Sequence, residues 1–228
     1  MATQTSPSSE AARNRLVRFF GRYSDELEQI RALLQIRLEQ LALAYCRRHK
    51  LPKEAVLVCT RVKSLNSVLN KLERRGWPDF ERPAEVITDL IGARVVCWFV
   101  DDCLGMLRYI SSSKHLTFES DVEDYITEPK PTGYRAIHLL AWISYDAVQG
   151  AQIESDQMLC EIQVRSKLQD AWGDLTHEFH YKAKALGLKD WSYEQRLSEI
   201  AERLAEEDLA LMAIRDAYQA LASRTRSR

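Results

Sequence analysis

Two carboxylates stand out by where they fall. Asp89 lies in Asp89-Leu90-Ile91-Gly92-Ala93-Arg94, just before the apolar run 95–100 (VVCWFV), and Glu161 lies inside the run 158–164 (MLCEIQV). Glu161 and Gln163 alternate with Cys160, Ile162 and Val164, so both polar side chains project from one face of a strand. An ionised Glu on a buried strand costs free energy unless a partner meets it, so an arginine, a lysine or a divalent cation is expected there. A structural ion pair would meet the same need. Two carboxylates with substrate phosphates form the donor set that Mg²⁺ accepts, water filling the remaining positions.

Cations are spaced to match. Over Thr60–Arg75 the residues Val62, Leu65, Leu69 and Leu72 form an apolar stripe, while Lys63, Ser67, Lys71 and Arg74 fall on the other side, flanked by Arg61. This spacing predicts a helix, with Gly76 and Pro78 as its stop. Positions 61 to 72 hold no acidic residue, and ammonium groups one turn apart with a hydroxyl between them match a chain of phosphates. A solvated basic face has the same pattern.

A third cluster runs from Pro129 to His138: Lys130, Arg135 and His138 surround Gly133-Tyr134 at the entry to the apolar run 136–143. The prolines stiffen the turn, and Gly133 permits backbone angles closed to other residues. Beside a glycine, the Tyr134 ring has an open face for stacking a base. After Glu161, Ser166 is placed to cap a helix carrying Trp172, Leu175 and Phe179 at core spacing, with His177, Tyr181 and Lys182 near another face. His177 and His180 lack zinc-site spacing and companions.

Positioning these groups falls to the apolar runs 95–100, 136–143 and 158–164, which read as strands, and to long amphipathic stretches on either side. Leu27, Ile30, Leu34, Leu38, Leu41 and Tyr45 give a helix over Asp25–His49, and 193–222 a second one. The expected class is α+β: a mixed sheet of about five strands sandwiched by helices. Residues 1–10 are expected to be disordered, 11–50 a helical arm, 51–188 the central domain, and 189–228 a helical segment ending in a frayed basic tail, 223–228. The flanking helices also make a homo-oligomer an expected state.

Composition sets the bounds. With 228 residues, 8 Gly and 6 Pro, the chain is neither collagen-like nor linker-rich. A net charge of −1 disfavours a surface coated for nucleic acid but leaves room for a local polyanion grip. The 5 Cys are odd in number, without CxxC spacing, and fit reduced, mostly buried thiols. No run of 18 apolar residues and no cleavable leader are visible, so the expectation is a cytoplasmic protein with no membrane partner.

Taken in order, RxKxxxSxxxK (Arg61 to Lys71), DLIGxR (Asp89 to Arg94), PKxxGYRxxH (Pro129 to His138), ExQxR (Glu161 to Arg165) and WxxxxHxxxYK (Trp172 to Lys182) resemble the synthetase domain of RelA/SpoT-type (p)ppGpp synthetases. The resemblance covers roughly residues 55 to 185. Lacking counterparts of the hydrolase and regulatory domains of the long members, the chain resembles a small stand-alone alarmone synthetase, with a nucleotidyltransferase-like fold. It departs from the pattern at Ala136, where Ser is common, and in EIQVRS, where EVQIRT is common.

The resemblance implies transfer of the pyrophosphate of ATP to the ribose 3′-hydroxyl of GDP or GTP, with release of AMP. Arg61 and Arg94 would hold adenine between guanidinium planes, and Lys63, Ser67 and Lys71 would grip the ATP phosphates. Asp89 and Glu161 would bind Mg²⁺, Glu161 would take the proton of the attacking hydroxyl, and Gln163 would orient groups nearby. Tyr134 would stack on guanine, with Lys130, Arg135 and His138 on the acceptor or transferring phosphates. Small members of the family often assemble as tetramers, so the resemblance implies a homo-oligomer, with a tetramer as one form. Two alternatives stay open: a relative that modifies adenosine nucleotides or the tRNA 3′ end, for which Arg13, Arg15, Arg18, Arg22, Arg47, Arg48 and Lys50 offer basic patches, and a nucleotide sensor without catalysis.

Overall fold

A computed structural model of the chain describes residues 7–119, 122–149, 152–185 and 191–226. Helix α1 spans Pro7–His49, and its apolar stripe of Leu16, Leu27, Ile30, Leu34, Leu38 and Tyr45 is buried. The stripe repeats every three or four residues, so one side of the helix is sealed against the body and the other stays wet. The helix stops at Lys50, whose φ is 56°, with Leu51 N–H bonded to Cys46 O at 2.9 Å. That left-handed cap satisfies carbonyls the helix would leave open. The helix begins at Pro7, earlier than expected, because proline at the first helical position loses no bond.

Strand β1, Val56–Val62, corrects the sequence reading, which placed Thr60–Val62 on a helix. VLVCTRV is rich in β-branched residues, and all of it pairs with the next strand. Helix α2 starts only at Leu65 and runs to Arg74, after Ser64, whose hydroxyl accepts from Ser67 N–H. The expected stop holds: Gly76 has φ 72°, and Trp77 N–H reaches Leu72 O at 3.0 Å.

Strand β2, Ile91–Cys97, starts four residues before the apolar run that announced it and ends inside it; Val100–Ser111 is already helix α3. Short strands β3 (Leu116–Phe118) and β4 (Glu123–Asp124) follow, then a long hairpin of β5 (Ile137–Gln149) and β6 (Gln152–Ser166). The chain closes with helices α4, Lys167–Ala185, and α5, Trp191–Arg226. The sheet has six strands in the order β1-β2-β6-β5-β3, with β4 also on β5. Among the described residues only β2 and β6 pair in parallel, so the sheet is mixed.

The two faces of the sheet differ. Ile91, Ala93, Val95, Cys160, Ile162 and Val164 are buried in the core with α1 and α3. The opposite face carries polar groups on β2, β5 and β6, and α4 packs against β2 and β6. Helices therefore lie on both faces of the mixed sheet, as expected, with α4 on the polar side. Trp172 is buried on α4 as expected, whereas Leu175 and Phe179 lie on its exposed side, 62% and 54% accessible. Cys59 is exposed; Cys46, Cys97, Cys103 and Cys160 are buried. Among the described residues, no helix is long and apolar enough to cross a membrane.

Helix α5 is fastened along one side at Ala201, Asp208 and Arg215, seven residues apart, a spacing that keeps them on one helical stripe. It continues to Arg226, beyond the expected fraying point, with Thr225 Oγ1 donating to Leu221 O.

Arg215 donates to both oxygens of Asp101, at 2.8 and 2.7 Å, and stacks over Phe99. These bonds outweigh partial burial and hold the Asp101 carboxyl below its ordinary pKa. A depressed carboxylate stabilises at neutral pH, and the contribution is lost as pH falls through the folded-state value. Because Asp101 is 43% exposed, solvent screening limits the pair to about 1 kcal/mol. Arg215→Ala is expected to lower Tm by about 2–4 °C at pH 7, and circular dichroism melts should show the deficit closing below about pH 4. A full deficit at low pH would assign the loss to packing on Phe99 instead.

Candidate active site

Strand registers assemble the site. Across the polar face, one row reads Arg61 of β1, Gly92 of β2, Glu161 of β6 and Leu140 of β5; the next reads Cys59, Arg94, Gln163 and His138. Residues opposite one another share a face, so four segments distant in sequence become neighbours. Arg61, Asp89, Gly92, Arg94, Glu161, Gln163 and Asp174 line one cleft of about 290 Å³. A β-carbon on Gly92 would meet nothing within 4 Å, so the glycine keeps the floor clear between Arg61 and Glu161.

At one rim Asp89 is clasped by Lys63 at 2.5 Å and Lys71 at 2.7 Å, with all three side chains less than one-fifth exposed. Lys63 is held by its backbone N–H on Leu90 O at 2.8 Å, and Lys71 reaches in from α2. Burial acts to raise the Asp89 pKa, but the bonds and charges of the two lysines prevail and hold it below the ordinary value. Ser67 lies on the exposed first turn of α2, its hydroxyl 2.9 Å from that of Ser64.

At the centre, Glu161 Oε1 lies 3.2 Å from His138 Nδ1, and Glu161 Oε2 accepts from Gln163 Nε2 at 2.8 Å. Burial would raise this carboxyl too, yet His138 and Gln163 outweigh it and keep the pKa low. The chain of contacts continues from His138 Nε2 to Tyr134 Oη at 2.8 Å, and Arg165 Nη2 donates to that phenol at 3.2 Å and to Gln163 Oε1. Burial, above all, raises the Tyr134 pKa, so the phenol stays protonated at neutral pH. Lys130 Nζ lies 4.1 Å from the Tyr125 ring centre and 5.5 Å from that of Tyr134.

Arg94 Nη1 meets Asp170 at 3.0 Å and Asp174 at 2.8 Å, both on α4. Burial works against its charge, but the two carboxylates raise its pKa.

Ten of the twelve residues proposed for the site from the sequence fall on the cleft, its rim or the Tyr134 end of the contact chain, while Ser67 stays on the exposed first turn of α2 with its contact to Ser64. Arg135 departs from that grouping: its Nη1 donates to Ile126 O at 2.8 Å, which ties down the turn before β5. Lys63 and Arg61 reach the site from β1 and the residue after it, not from a helix face as the apolar stripe had implied. His177 is on the exposed side of α4; the Tyr181 and Lys182 side chains lie outside the described residues.

Three contributions had gone unassigned. Arg165 continues the alternation of Glu161 and Gln163 by one more step, and that period-two pattern was the available signal. Tyr125 and the α4 pair Asp170 and Asp174 carried none, since only the tertiary fold brings them to Lys130 and Arg94.

Comparison with known proteins agrees with this geometry. Residues 60–185 match the region found in RelA / SpoT proteins. The GTP pyrophosphokinase YwaC of Bacillus subtilis (strain 168) is 32% identical over 154 residues, 67% of this chain and 71% of that protein. The GTP pyrophosphokinase YjbM of the same organism is 35% identical over 151 residues, 66% and 68% of the two chains. The fold superposes on small alarmone synthetase 1 from Bacillus subtilis bound to its product pppGpp, with a TM-score of 0.75 and 27% identity, covering 89% of this chain and 99% of that one. A GTP pyrophosphokinase family protein from Streptococcus pneumoniae gives the same TM-score at 26% identity, covering 89% and 95%. A family match over more than half of the chain, on a fold shared with these synthetases, places the protein in the RelA/SpoT family.

Proposed function

We propose that the chain is a (p)ppGpp synthetase, transferring the pyrophosphate of ATP to the ribose 3′-hydroxyl of GDP or GTP with release of AMP. The observation that carries this reading is the clasp of Asp89 by Lys63 and Lys71 on the rim of the cleft whose floor holds Glu161. Phosphoryl-type transfer asks a protein to align two reactants and to neutralise charge spread over phosphate oxygens. Two lysines beside a carboxylate, next to a second carboxylate backed by an imidazole, supply those elements.

Lys63 and Lys71 turn from Asp89 to the ATP phosphates, exchanging one anionic partner for another. Ser67, four residues before Lys71 and so on the same helical side, adds a hydroxyl. Arg61 and Arg94, one row apart on β1 and β2, flank adenine by stacking. Arg94 is already held in place by Asp170 and Asp174.

The donor set fits a hard divalent cation: Asp89 and Glu161 line the same cleft, their charges are close enough to influence each other, and Gly92 leaves the floor open. Asp89 and Glu161 would hold Mg²⁺, which when bound would offset phosphate charge as Asp89 gives up its lysines.

On the acceptor side the Tyr134 ring takes the guanine, with Lys130 and His138 towards its phosphates. Glu161, ionised and oriented by His138 and Gln163, accepts the proton of the attacking 3′-hydroxyl. Arg135 acts by fixing the turn before β5. The exposed Leu209, Ile214, Tyr218 and Leu221 on α5 favour self-association into a homo-oligomer, which light scattering measures directly.

Incubation with ATP, Mg²⁺ and a panel of GDP, GTP, AMP, ADP and tRNA, followed by nucleotide chromatography, tests the reading. Pyrophosphorylated guanosine nucleotide is expected, and its absence with folded protein would overturn the proposal. Asp89→Asn and Glu161→Gln are expected to lower kcat by about 10²–10⁴-fold without loss of fold. Tyr134→Ala should raise the acceptor KM by about 5- to 150-fold, the equivalent of one stacked base, with the ATP KM unchanged.

A further inference from the structure

The turn that presents Tyr134 is tight. Gly133 N–H bonds Lys130 O at 2.8 Å, and Lys130 N–H bonds Tyr134 O at 3.2 Å. Gly133 has φ 83°, in the region glycine alone occupies without strain. Conformation is only half of the reason for a glycine here. A β-carbon at this position would lie 2.5 Å from Ala201 Cβ and 3.1 Å from Ser198 Cα, both on α5. Ala201 is fully buried, and Ser198 Oγ donates to Pro131 O at 3.4 Å. The turn and the helix therefore touch main chain to methyl group, with no flexible side chain between them.

Helix α5 is held independently of this contact. Trp172 Nε1 donates to Leu197 O at 3.1 Å, and Ser166 and Gln169 donate to buried Asp208 at 2.6 and 3.3 Å. Arg215 grips Asp101 further along. The fastenings reach α3, α4 and the end of β6, so added bulk at Ala201 meets an anchored helix on one side and a turn on the other. Packed interiors pass displacement on instead of absorbing it. The turn meets α5 through the 3.4 Å hydrogen bond from Ser198, against the fastenings of the helix to α3, α4 and β6, and Tyr134 is the residue after Gly133.

We infer that α5 is the seat of the acceptor turn, and that Ala201 is a positioning residue for the acceptor nucleotide, acting through Gly133 on Tyr134. This rests on the reading that Tyr134 binds the acceptor. The donor groups Arg61, Lys63, Ser67, Lys71, Asp89 and Arg94 come from β1, the residue after it, α2, the segment before β2 and β2, none of which takes part in the contact between Gly133 and α5. The effect is therefore confined to one substrate.

The test is a graded series in the full chain, Ala201→Ser, Ala201→Val and Ala201→Leu, with Ala210→Leu on the exposed side of α5 as control. KM for GDP, KM for ATP and kcat are measured, and thermal melts confirm folding. KM for GDP is expected to rise in steps, from about threefold for Ser to about 30-fold or more for Leu, as overpacking grows. KM for ATP should stay within about twofold throughout, since the change is local, and Ala210→Leu should match the parent. Should the Leu variant fail to fold, Ser and Val, which add one and two heavy atoms, decide the matter. A flat GDP KM in Ser and Val alongside a raised one in Tyr134→Ala overturns the seating role and leaves the acceptor reading intact. If Tyr134→Ala also leaves the GDP KM unchanged, the acceptor reading itself is wrong. A parallel rise in both KM values, or a fall in kcat alone, overturns the inference by making Ala201 a general packing position.

Discussion

One register governs this molecule: β2 lies parallel to β6 with Gly92 beside Glu161 and Arg94 beside Gln163. Side chains alternate along a strand, so a slip of one residue would bury Glu161 and Gln163 under α1 and expose Ile162 and Val164. Such a slip is opposed by the whole apolar face, where Ile91, Ala93, Val95, Cys160, Ile162 and Val164 sit in the core. Burial worth roughly 2 kcal/mol per large side chain therefore does more than stabilise the sheet. It decides which four strands contribute to the polar face and in which row each polar group stands.

The polar face is a balanced set of charges. Asp89 is matched by two lysines, Glu161 by His138 and Gln163, and Arg94 by Asp170 and Asp174. Left unmatched, any of these partly buried ions would pay a desolvation penalty of several kcal/mol. Paired, they hold their side chains in a few conformations, at geometries that a polyphosphate can take over by exchange. Under the proposed function, a triphosphate would be met by the lysines and a divalent cation would be held by the carboxylates, which would preserve the balance. Binding in that way would cost little rearrangement of charge, since Lys63 and Lys71 already stand at the rim beside Asp89.

How much of this could be read from the amino-acid sequence depends on the range of the signal. Glu161 and Gln163 were legible because the alternation in CEIQV is local, and the Gly76 stop because left-handed caps are local. The last three residues of the strand VLVCTRV, Thr60–Val62, read as the start of a helix because Val62 and Leu65 fit a helical stripe, and only pairing with β2 along the strand's whole length settles the competition. Leu175 and Phe179 had the right spacing for a core face, yet α4 turns Trp172, Gln169 and Thr176 inward and leaves those two in water. Asp170 and Asp174 on Arg94, and Ala201 beneath Gly133, join residues 68 to 80 positions apart in sequence. No period or cap can announce such contacts.

The proposed function divides the two substrates between separate pieces of chain. Glu161 apart, the groups proposed for ATP belong to β1 and the residue after it, α2 and β2, and the groups proposed to hold the acceptor belong to the Lys130–Tyr134 turn and β5. Strand β6 lies between β2 and β5, and Glu161 stands in it with Gly92 on one flank and Leu140 on the other. It feels the charge of Asp89 from the donor half and is hydrogen-bonded by His138 from the acceptor half. A group so placed can serve both reactants without moving. In a reaction whose barrier falls mainly through alignment, that fixity is what the central strand supplies. In the proposed reaction the sheet would be more than a scaffold behind the site: its middle strand would set the line along which a hydroxyl from one half approaches a phosphorus from the other.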